Sequence, residues 1–186
     1  MATFLVVFGT SEGQTEKIAD RIAETIEARG HGTHTYDVDE IPDVLPVEDS
    51  DAVIVGSSIH VSKHHRAIQP FIEERREALQ TLPTAFFQVS LSSVSDDPER
   101  QVEAAAYVDA ILESTGWHPD RIGLFGGALR YSKYGFLKRL LMKRIAAGAE
   151  LDIDTTGDHE YTDWLLRTGR GNTSCISAGM LSCLLF

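Results

Sequence analysis

The chain has 186 residues, of which 42% are hydrophobic, and its formal net charge is −11. This length suits a single compact domain, and the acidic balance argues against general nucleic-acid binding. The two cysteines, Cys175 and Cys183, form neither a disulfide framework nor a metal-ligand spacing, and no apolar run reaches about 18 residues. Disulfide scaffolds and membrane-spanning proteins are therefore excluded. Because no leader sequence precedes the first apolar run, we expect a cytoplasmic protein.

A buried strand and an amphipathic helix are predicted at the start of the chain. Residues 4–8 form an unbroken apolar run, as expected when helices cover both faces of a parallel sheet. Ile18, Ile22 and Ile26 recur at four-residue spacing and predict a helix that closes at Gly30. Between the strand and the helix lies a loop rich in hydroxyl groups, whose residues are Thr10, Ser11, Glu12, Gly13, Gln14 and Thr15.

This loop, residues 10–15, has the composition of a phosphate-binding loop. At the N-terminus of a helix, free backbone N–H groups and the positive end of the helix dipole favour an anion. The triphosphate-binding loop is excluded because Gln14 occupies the position of its lysine, and the G-x-G-x-x-G dinucleotide motif is absent. What remains is a mostly uncharged loop suited to one terminal phosphate, which indicates a mononucleotide such as FMN. The alternative is an ordinary strand-to-helix turn, where serine and threonine are common.

The rest of the chain alternates between short apolar strands and helical stretches. The predicted strands lie at residues 33–36, 52–55, 85–89 and 121–125, and the predicted helices at 67–79 and 97–116. Alternation at this spacing implies βαβ units. We therefore predict a doubly wound α/β fold with a five-stranded parallel sheet and helices on both faces.

In an open parallel sheet, ligands bind beyond the carboxyl ends of the strands, where the strand order reverses. The segments after the third and fourth strands are small and polar, and we expect them to offer backbone groups to a flat ring such as isoalloxazine. The candidate ring-binding residues are Ser57, Ser58, Ile59, Ser90, Leu91, Ser92 and Ser93. Small polar loops and solvated histidines are common, however. We assign no catalytic residue, and of His60, His64 and His65 we place only His60 near the ring.

Longer patterns in the sequence resemble a known family. The loop 10–15 is similar to the T-x-T-G-x-T phosphate loop of flavodoxins and differs only at its third position, Glu12. Strings across nearly the whole chain resemble the flavodoxin-like, menaquinone-dependent protoporphyrinogen IX dehydrogenases, namely those at 56–59, 85–87, 117–121, 127–131 and 161–164. The resemblance implies a flavodoxin-like fold, FMN as cofactor, protoporphyrinogen IX as substrate, a quinone as acceptor and a role in haem biosynthesis. Whether the protein forms a homo-oligomer stays open.

The resemblance also implies an extra segment, found in this chain at about residues 130–147. Between 130 and 144 it carries six basic and no acidic residues. As a basic amphipathic helix it would rest on the cytoplasmic face of an anionic membrane, or pair with the propionates of the substrate, or simply pack with a solvated basic face. For Arg144, the negative end of its own helix is the simpler explanation. The candidate substrate or membrane contacts are Arg130, Lys138, Arg139, Lys143 and Arg144.

We divide the chain into an FMN-binding domain at 1–168 and an atypical tail at 169–186. The family pattern requires a long final helix after Trp164, but Gly169 and Gly171 should break it. Apolar residues then regain helical spacing. This end either replaces the missing packing or forms an exposed tail.

Two other functions stay open beside FMN-dependent oxidation of protoporphyrinogen IX. An NAD(P)H-dependent quinone reductase would use the same fold with a different electron donor. An electron carrier of the flavodoxin type would dock to redox partners through its acidic surface. The carrier has no evident use for the basic segment 130–147, which favours the dehydrogenase interpretation.

Overall fold

The computed structural model describes residues 1–42, 45, 47–94, 97–126, 128–129 and 159–160. The basic segment 130–147 and the tail 169–186 lie outside the described residues. The secondary-structure elements are β1 (Thr3–Gly9), α1 (Gln14–Glu27), β2 (Gly32–Asp37), β3 (Ala52–His60), β4 (Lys63–His64), α2 (Ile68–Glu74), α3 (Arg76–Thr81), β5 (Thr84–Ser90), a 3-10 turn (Ser92–Val94), α4 (Pro98–Thr115), β6 (Arg121–Gly126), β7 (Ala128–Leu129) and β8 (His159–Glu160).

Five strands form a parallel sheet in the order β2-β1-β3-β5-β6. The short strand β4 pairs with β3 in the antiparallel direction, and β7 and β8 form a separate antiparallel pair. The chain moves from β1 to β2 on one side and then crosses to β3 on the other side, so the strand order reverses between β1 and β3. The predicted doubly wound α/β fold with a five-stranded parallel sheet is confirmed, and β4 is an addition to it.

Each face of the sheet has its own apolar core, because successive side chains of a strand point to opposite faces. On one face Val6 packs with Ile18 of α1. On the other face Val7 packs with Ile72 of α2 and with Trp117, which follows α4. Helices therefore cover both faces, which explains why residues 4–8 are uniformly apolar rather than alternating.

The ends of two helices follow the sequence signals that predict them. Gly30 adopts a left-handed φ of 85° just after α1, and Gly116 adopts a φ of 64° just after α4. At the start of α4 the Asp97 carboxylate accepts a hydrogen bond from the Glu99 N–H at 2.9 Å, and Pro98 occupies the first turn. Within the described part of the chain, no helix has both the length and the apolar character needed to cross a membrane.

The single helix predicted at 67–79 is wrong, because the chain forms two helices separated at Arg75. In a continuous helix Arg75 would lie on the same side as Ile68 and Ile72, which are buried. At the break Arg75 has φ −114° and ψ 14°. Its guanidinium lies 4.9 Å from the centre of the Phe71 ring and 2.9 Å from a carboxylate oxygen of Glu74. The apolar spacing at 67–79 does not reveal this break.

Replacing Gly56 with alanine should destabilise the fold. A Cβ at this position would lie 2.1 Å from Cζ of Phe87, which is fully buried and packs edge-on against Phe125. We expect overpacking to lower the free energy of unfolding by about 1–3 kcal/mol, measured by chemical denaturation. Gly32→Ala is the matched control, because a Cβ there would lie 3.8 Å from Thr3 Oγ1, an ordinary contact. Equal losses in both variants would contradict the steric explanation.

Candidate functional site

The candidate site lies at the edge of the sheet where the parallel strands β1, β3 and β5 end. In the sheet register Gly9 is opposite Ser57, and Ser58 is opposite Val89. The three segments predicted to contact a ligand, 10–15, 57–59 and 90–93, therefore come together at this edge, beside the position where the strand order reverses. None of the three segments contains lysine or arginine. From these three segments an anion would meet backbone amides and hydroxyl groups rather than cations.

The loop 10–15 turns back on itself at Gly13. This glycine has a left-handed φ of 81° and directly precedes Gln14, the first residue of α1. Its N–H donates a hydrogen bond to Thr10 Oγ1 at 2.8 Å. A residue with a side chain would be strained in this conformation. The glycine thus allows the chain to leave β1 and enter α1 within a few residues.

Thr15 lies in the first turn of α1 and is fully buried. Among the residues that the structure describes, its Oγ1 has no hydrogen-bond partner. A buried hydroxyl without a partner costs about 1–3 kcal/mol. The first turn of a helix also offers backbone N–H groups that lack partners within the helix, together with the positive end of its dipole. A phosphate group fits this position, because its oxygens can accept from both the hydroxyl and the amides.

Residues 56–60 belong to β3, and their predicted assignment as a loop is wrong. The strand runs to His60, turns at Val61 and Ser62, and returns as β4, so that His60 pairs with Lys63. Both turn residues are left-handed, with φ of 50° and 59°. No hairpin was predicted here, because such turns are usually built from asparagine and glycine, and a valine in this conformation is rare. The valine is 75% exposed at the tip of the hairpin.

Two buried serines connect this hairpin to the rest of the site. Ser57 Oγ accepts a hydrogen bond from the His65 N–H at 3.1 Å and donates to the Ser58 carbonyl oxygen at 3.2 Å. Ser58 Oγ lies 3.4 Å from Ser11 Oγ in the loop 10–15. Ile59, the next residue, is half-buried. The predicted phosphate-binding and ring-binding segments therefore share a polar contact.

His65 packs directly in front of the end of β1. A Cβ at Gly9 would lie 2.7 Å from Cγ of its ring. Its Nε2 is 3.6 Å from Oδ2 of Asp39, which follows β2. Together with the bond from its N–H to Ser57, these contacts join the ends of β1, β2 and β3. His65 is thus held by the protein and is not the solvated loop residue that the sequence indicated.

The loop at 90–93 is ordered by its own hydroxyl groups. Ser90 Oγ lies 2.6 Å from Ser93 Oγ and accepts from the Ser93 N–H at 3.2 Å. Ser92 Oγ donates to Oε2 of Glu103 on α4 at 2.9 Å. Leu91 is half-buried. Because these hydroxyls are already bonded within the protein, contacts from this loop to a ligand would come chiefly from its backbone.

His64 faces away from the loop 10–15, toward α4. Its Nε2–H donates to the Tyr107 carbonyl oxygen at 2.9 Å, and its ring packs edge-on against Phe86 with centroids 5.6 Å apart. Burial lowers the pKa of His64 below its ordinary value of 6.5 and outweighs the opposite effect of the bond to Tyr107. The imidazole is therefore neutral, and this agrees with its buried Nδ1, which has no hydrogen-bond partner among the described residues.

The fold should lose stability as the pH falls below about 6.5, the ordinary pKa of histidine. Below that pH the unfolded chain protonates His64 more readily than the native protein does, so protonation favours unfolding. Urea denaturation between about pH 5 and 8 would measure this dependence. His64→Gln should flatten it, whereas His34→Gln, at an exposed position on β2, should not. Identical pH dependence in both variants would show that His64 is not responsible.

Two acidic residues contact the site although the sequence did not predict them. Asp39 and Glu103 each contact a residue of the site from a distant element, and nothing in their local sequence distinguishes them from other acidic residues. The predicted substrate or membrane contacts that lie outside the described residues are Arg130, Lys138, Arg139, Lys143 and Arg144.

Residues 5–156 match the flavodoxin domain model, so the chain belongs to the flavodoxin domain family. Within this family it belongs with the proteins named protoporphyrinogen IX dehydrogenase (quinone). The protein of this name from Escherichia coli (strain K12) is 32% identical over 161 residues, which cover 86% of this chain and 87% of that protein. The protein of the same name from Leishmania major is 29% identical over 162 residues, which cover 86% of this chain and 69% of that protein. The predicted family resemblance is confirmed.

One solved structure similar to this chain is the flavoprotein from Lactobacillus acidophilus NCFM in complex with FMN. The match has a TM-score of 0.49 and 16% sequence identity, and it covers 67% of this chain and 93% of that chain.

Proposed function

We propose that this protein binds FMN at the carboxyl edge of its sheet and oxidises protoporphyrinogen IX, passing the electrons to a quinone. The observation that carries the cofactor assignment is the buried Thr15 hydroxyl, which has no partner among the described residues and lies at the N-terminus of α1. Support for the reaction comes from the name that the relatives in Escherichia coli and Leishmania major share.

Different segments at the carboxyl edge of the sheet would contact the phosphate and the ring of FMN. In the loop 10–15, the hydroxyls of Thr10, Ser11 and Thr15 and the backbone N–H groups around Gly13 would hold the phosphate. The segments 57–59 and 90–93 would contact the ring, chiefly through backbone groups, because several of their hydroxyls are bonded within the protein. Binding would depend on oriented amides and hydroxyls, since these segments contain no lysine or arginine.

The proposed reaction balances with three quinones for each porphyrinogen. Conversion of protoporphyrinogen IX to protoporphyrin IX removes six electrons and six protons, which reduce three quinones to three quinols. FMN, when bound, supplies the two-electron redox chemistry that amino-acid side chains lack. The chain itself binds and orients the reactants, so we assign no acid or base to it.

The basic segment 130–147 is proposed as the contact with the substrate or with a membrane surface. Its six basic residues between 130 and 144 contrast with the formal net charge of −11 for the whole chain. Lysine and arginine can pair with the propionates of a porphyrinogen. The same side chains can instead contact anionic lipids near dissolved quinone.

Replacing Thr15 with valine should weaken FMN binding without weakening the fold. Loss of a hydrogen bond to a charged phosphate should raise the FMN dissociation constant by roughly 10- to 100-fold, measured by quenching of flavin fluorescence. The free energy of unfolding of the FMN-free protein should not fall, because the variant removes a buried hydroxyl that has no partner among the described residues.

Thr25→Val is the matched control, because Thr25 lies on the same helix and is half-buried, with its hydroxyl bonded to the Arg21 carbonyl oxygen. It should leave the FMN dissociation constant unchanged. If Thr15→Val bound FMN as tightly as the unaltered protein, the proposed phosphate position would be wrong. If the unaltered protein did not bind FMN at all, the cofactor assignment itself would be wrong.

Anaerobic mixing of the FMN-loaded protein with protoporphyrinogen IX should bleach the flavin absorbance. A variant with Lys138→Gln, Arg139→Gln and Lys143→Gln should bleach more slowly at low substrate concentration and at the same rate at saturation, because binding is weakened. Arg21→Gln, on the exposed face of α1, is the control for loss of a positive charge.

The outcomes separate the alternatives. No bleaching by the porphyrinogen, with bleaching by NAD(P)H, would favour a quinone reductase, and no bleaching by either would favour an electron carrier. If the triple variant reacts normally but no longer sediments with vesicles of anionic lipid, the segment contacts the membrane. If the triple variant reacts normally and still sediments with the vesicles, both proposed roles of the segment are wrong.

A further inference from the structure

One carboxylate on α4 connects two segments that are far apart in the sequence. Oε2 of Glu103 accepts a hydrogen bond from the Ser92 hydroxyl at 2.9 Å, and Oε1 accepts from the Tyr107 hydroxyl. The Tyr107 phenol also lies close to the hydroxyl of Ser62, in the turn of the β3–β4 hairpin. The Tyr107 carbonyl oxygen accepts from His64, on the returning strand of the same hairpin. A chain of bonds thus runs from the loop 90–93 through α4 to the hairpin.

We propose that Glu103 and Tyr107 are positioning residues that hold the loop 90–93 and the β3–β4 hairpin at a fixed separation for the flavin ring. This inference rests on the proposed function, because it assigns those two segments to the ring. Neither side chain needs to touch the cofactor. Their role is to fix the segments that do, before the cofactor arrives.

The conformation of the hairpin requires support from outside the turn. Val61 and Ser62 are both left-handed, which is costly for residues other than glycine, and for a β-branched valine in particular. Such conformations persist where surrounding contacts hold them. The Ser62 hydroxyl lies close to the Tyr107 phenol at the turn itself. Two residues further on, the hydrogen bond from His64 to the Tyr107 carbonyl oxygen holds the returning strand.

The helix that carries the two residues is itself fixed to the sheet. Gln88 of β5 is fully buried, and its Nε2 donates to the Ala104 carbonyl oxygen at 2.9 Å. Ala104 is also fully buried and directly follows Glu103. Since Glu103 and Tyr107 are four residues apart, they lie on one side of the helix. The helix α4, which is bonded to β5, therefore contacts both the loop 90–93 and the hairpin.

The ionisation of Tyr107 is consistent with this arrangement. Burial and the bond to Glu103 raise the pKa of the Tyr107 phenol above its ordinary value of 10.0, and these effects exceed the opposing effect of Ser62. The phenol is therefore protonated near neutral pH and can donate to the Glu103 carboxylate.

The first test uses the FMN-free protein and hydrogen exchange of backbone amides. Glu103→Ala should raise exchange in both the hairpin and the loop 90–93, at least severalfold, because both bonds to the carboxylate are lost. Tyr107→Phe should raise it in the hairpin only. Glu103→Gln should restore much of the protection, since an amide can accept from one hydroxyl and donate to the other. Glu113→Ala, at an exposed position on the same helix, is the matched control.

The second test measures FMN binding by the same variants. Glu103→Ala should raise the FMN dissociation constant by about tenfold and shift the absorbance bands of the bound flavin, because the free protein must then order two segments on binding. Glu103→Gln should fall near the unaltered protein on both measures. Unchanged exchange in Glu103→Ala would overturn the link between the segments. Raised exchange with unchanged FMN affinity and spectrum would overturn its role toward the ring.

These outcomes are distinct from a failure of the proposed function. If the unaltered protein bound no FMN, the function would fall, whereas the exchange experiment would still report whether Glu103 joins the two segments. If Glu103→Ala lowered overall stability, its thermal unfolding would show this, and Tyr107→Phe would then test the hairpin alone.

Discussion

The left-handed turn at Gly13 is the constraint on which the carboxyl edge of the sheet depends. Because the chain reverses there within a few residues, the N-terminus of α1 faces the end of β1 and the buried Thr15 hydroxyl lies at the same place. The Thr10 hydroxyl holds the turn by accepting from the Gly13 N–H. Without this turn, the helix dipole and the hydroxyls would not meet at the position where the strand order reverses.

Much of the fold follows from local signals in the sequence. The apolar run of β1, the repeat of isoleucines on α1 and the Asp97 and Pro98 signal of α4 each act within a few residues, and each prediction is confirmed. The break at Arg75 was not predicted, because the apolar spacing continues across it. The hairpin had no local signal, because Val61 and Ser62 adopt conformations that their residue types disfavour.

The candidate site, like the fold, could be predicted only in part. Its strand ends and its small polar segments were predictable, since parallel strands bring their carboxyl ends to one edge. The contacts that organise them were not, because His65 with Asp39 and Glu103 with Ser92 join elements that meet only after folding. One sequence and its periodicity carry no information about such pairs. The structure therefore adds the framework of the site rather than its location.

The close approach of His65 to Gly9 has a consequence for how related sequences diverge. The imidazole occupies the space that any side chain at position 9 would need. A lineage that gains a larger residue at position 9 must therefore lose the ring at position 65, or shift the segment after β4 that carries it. Positions 9 and 65 should therefore change together during evolution, because the same space can hold only one of the two side chains.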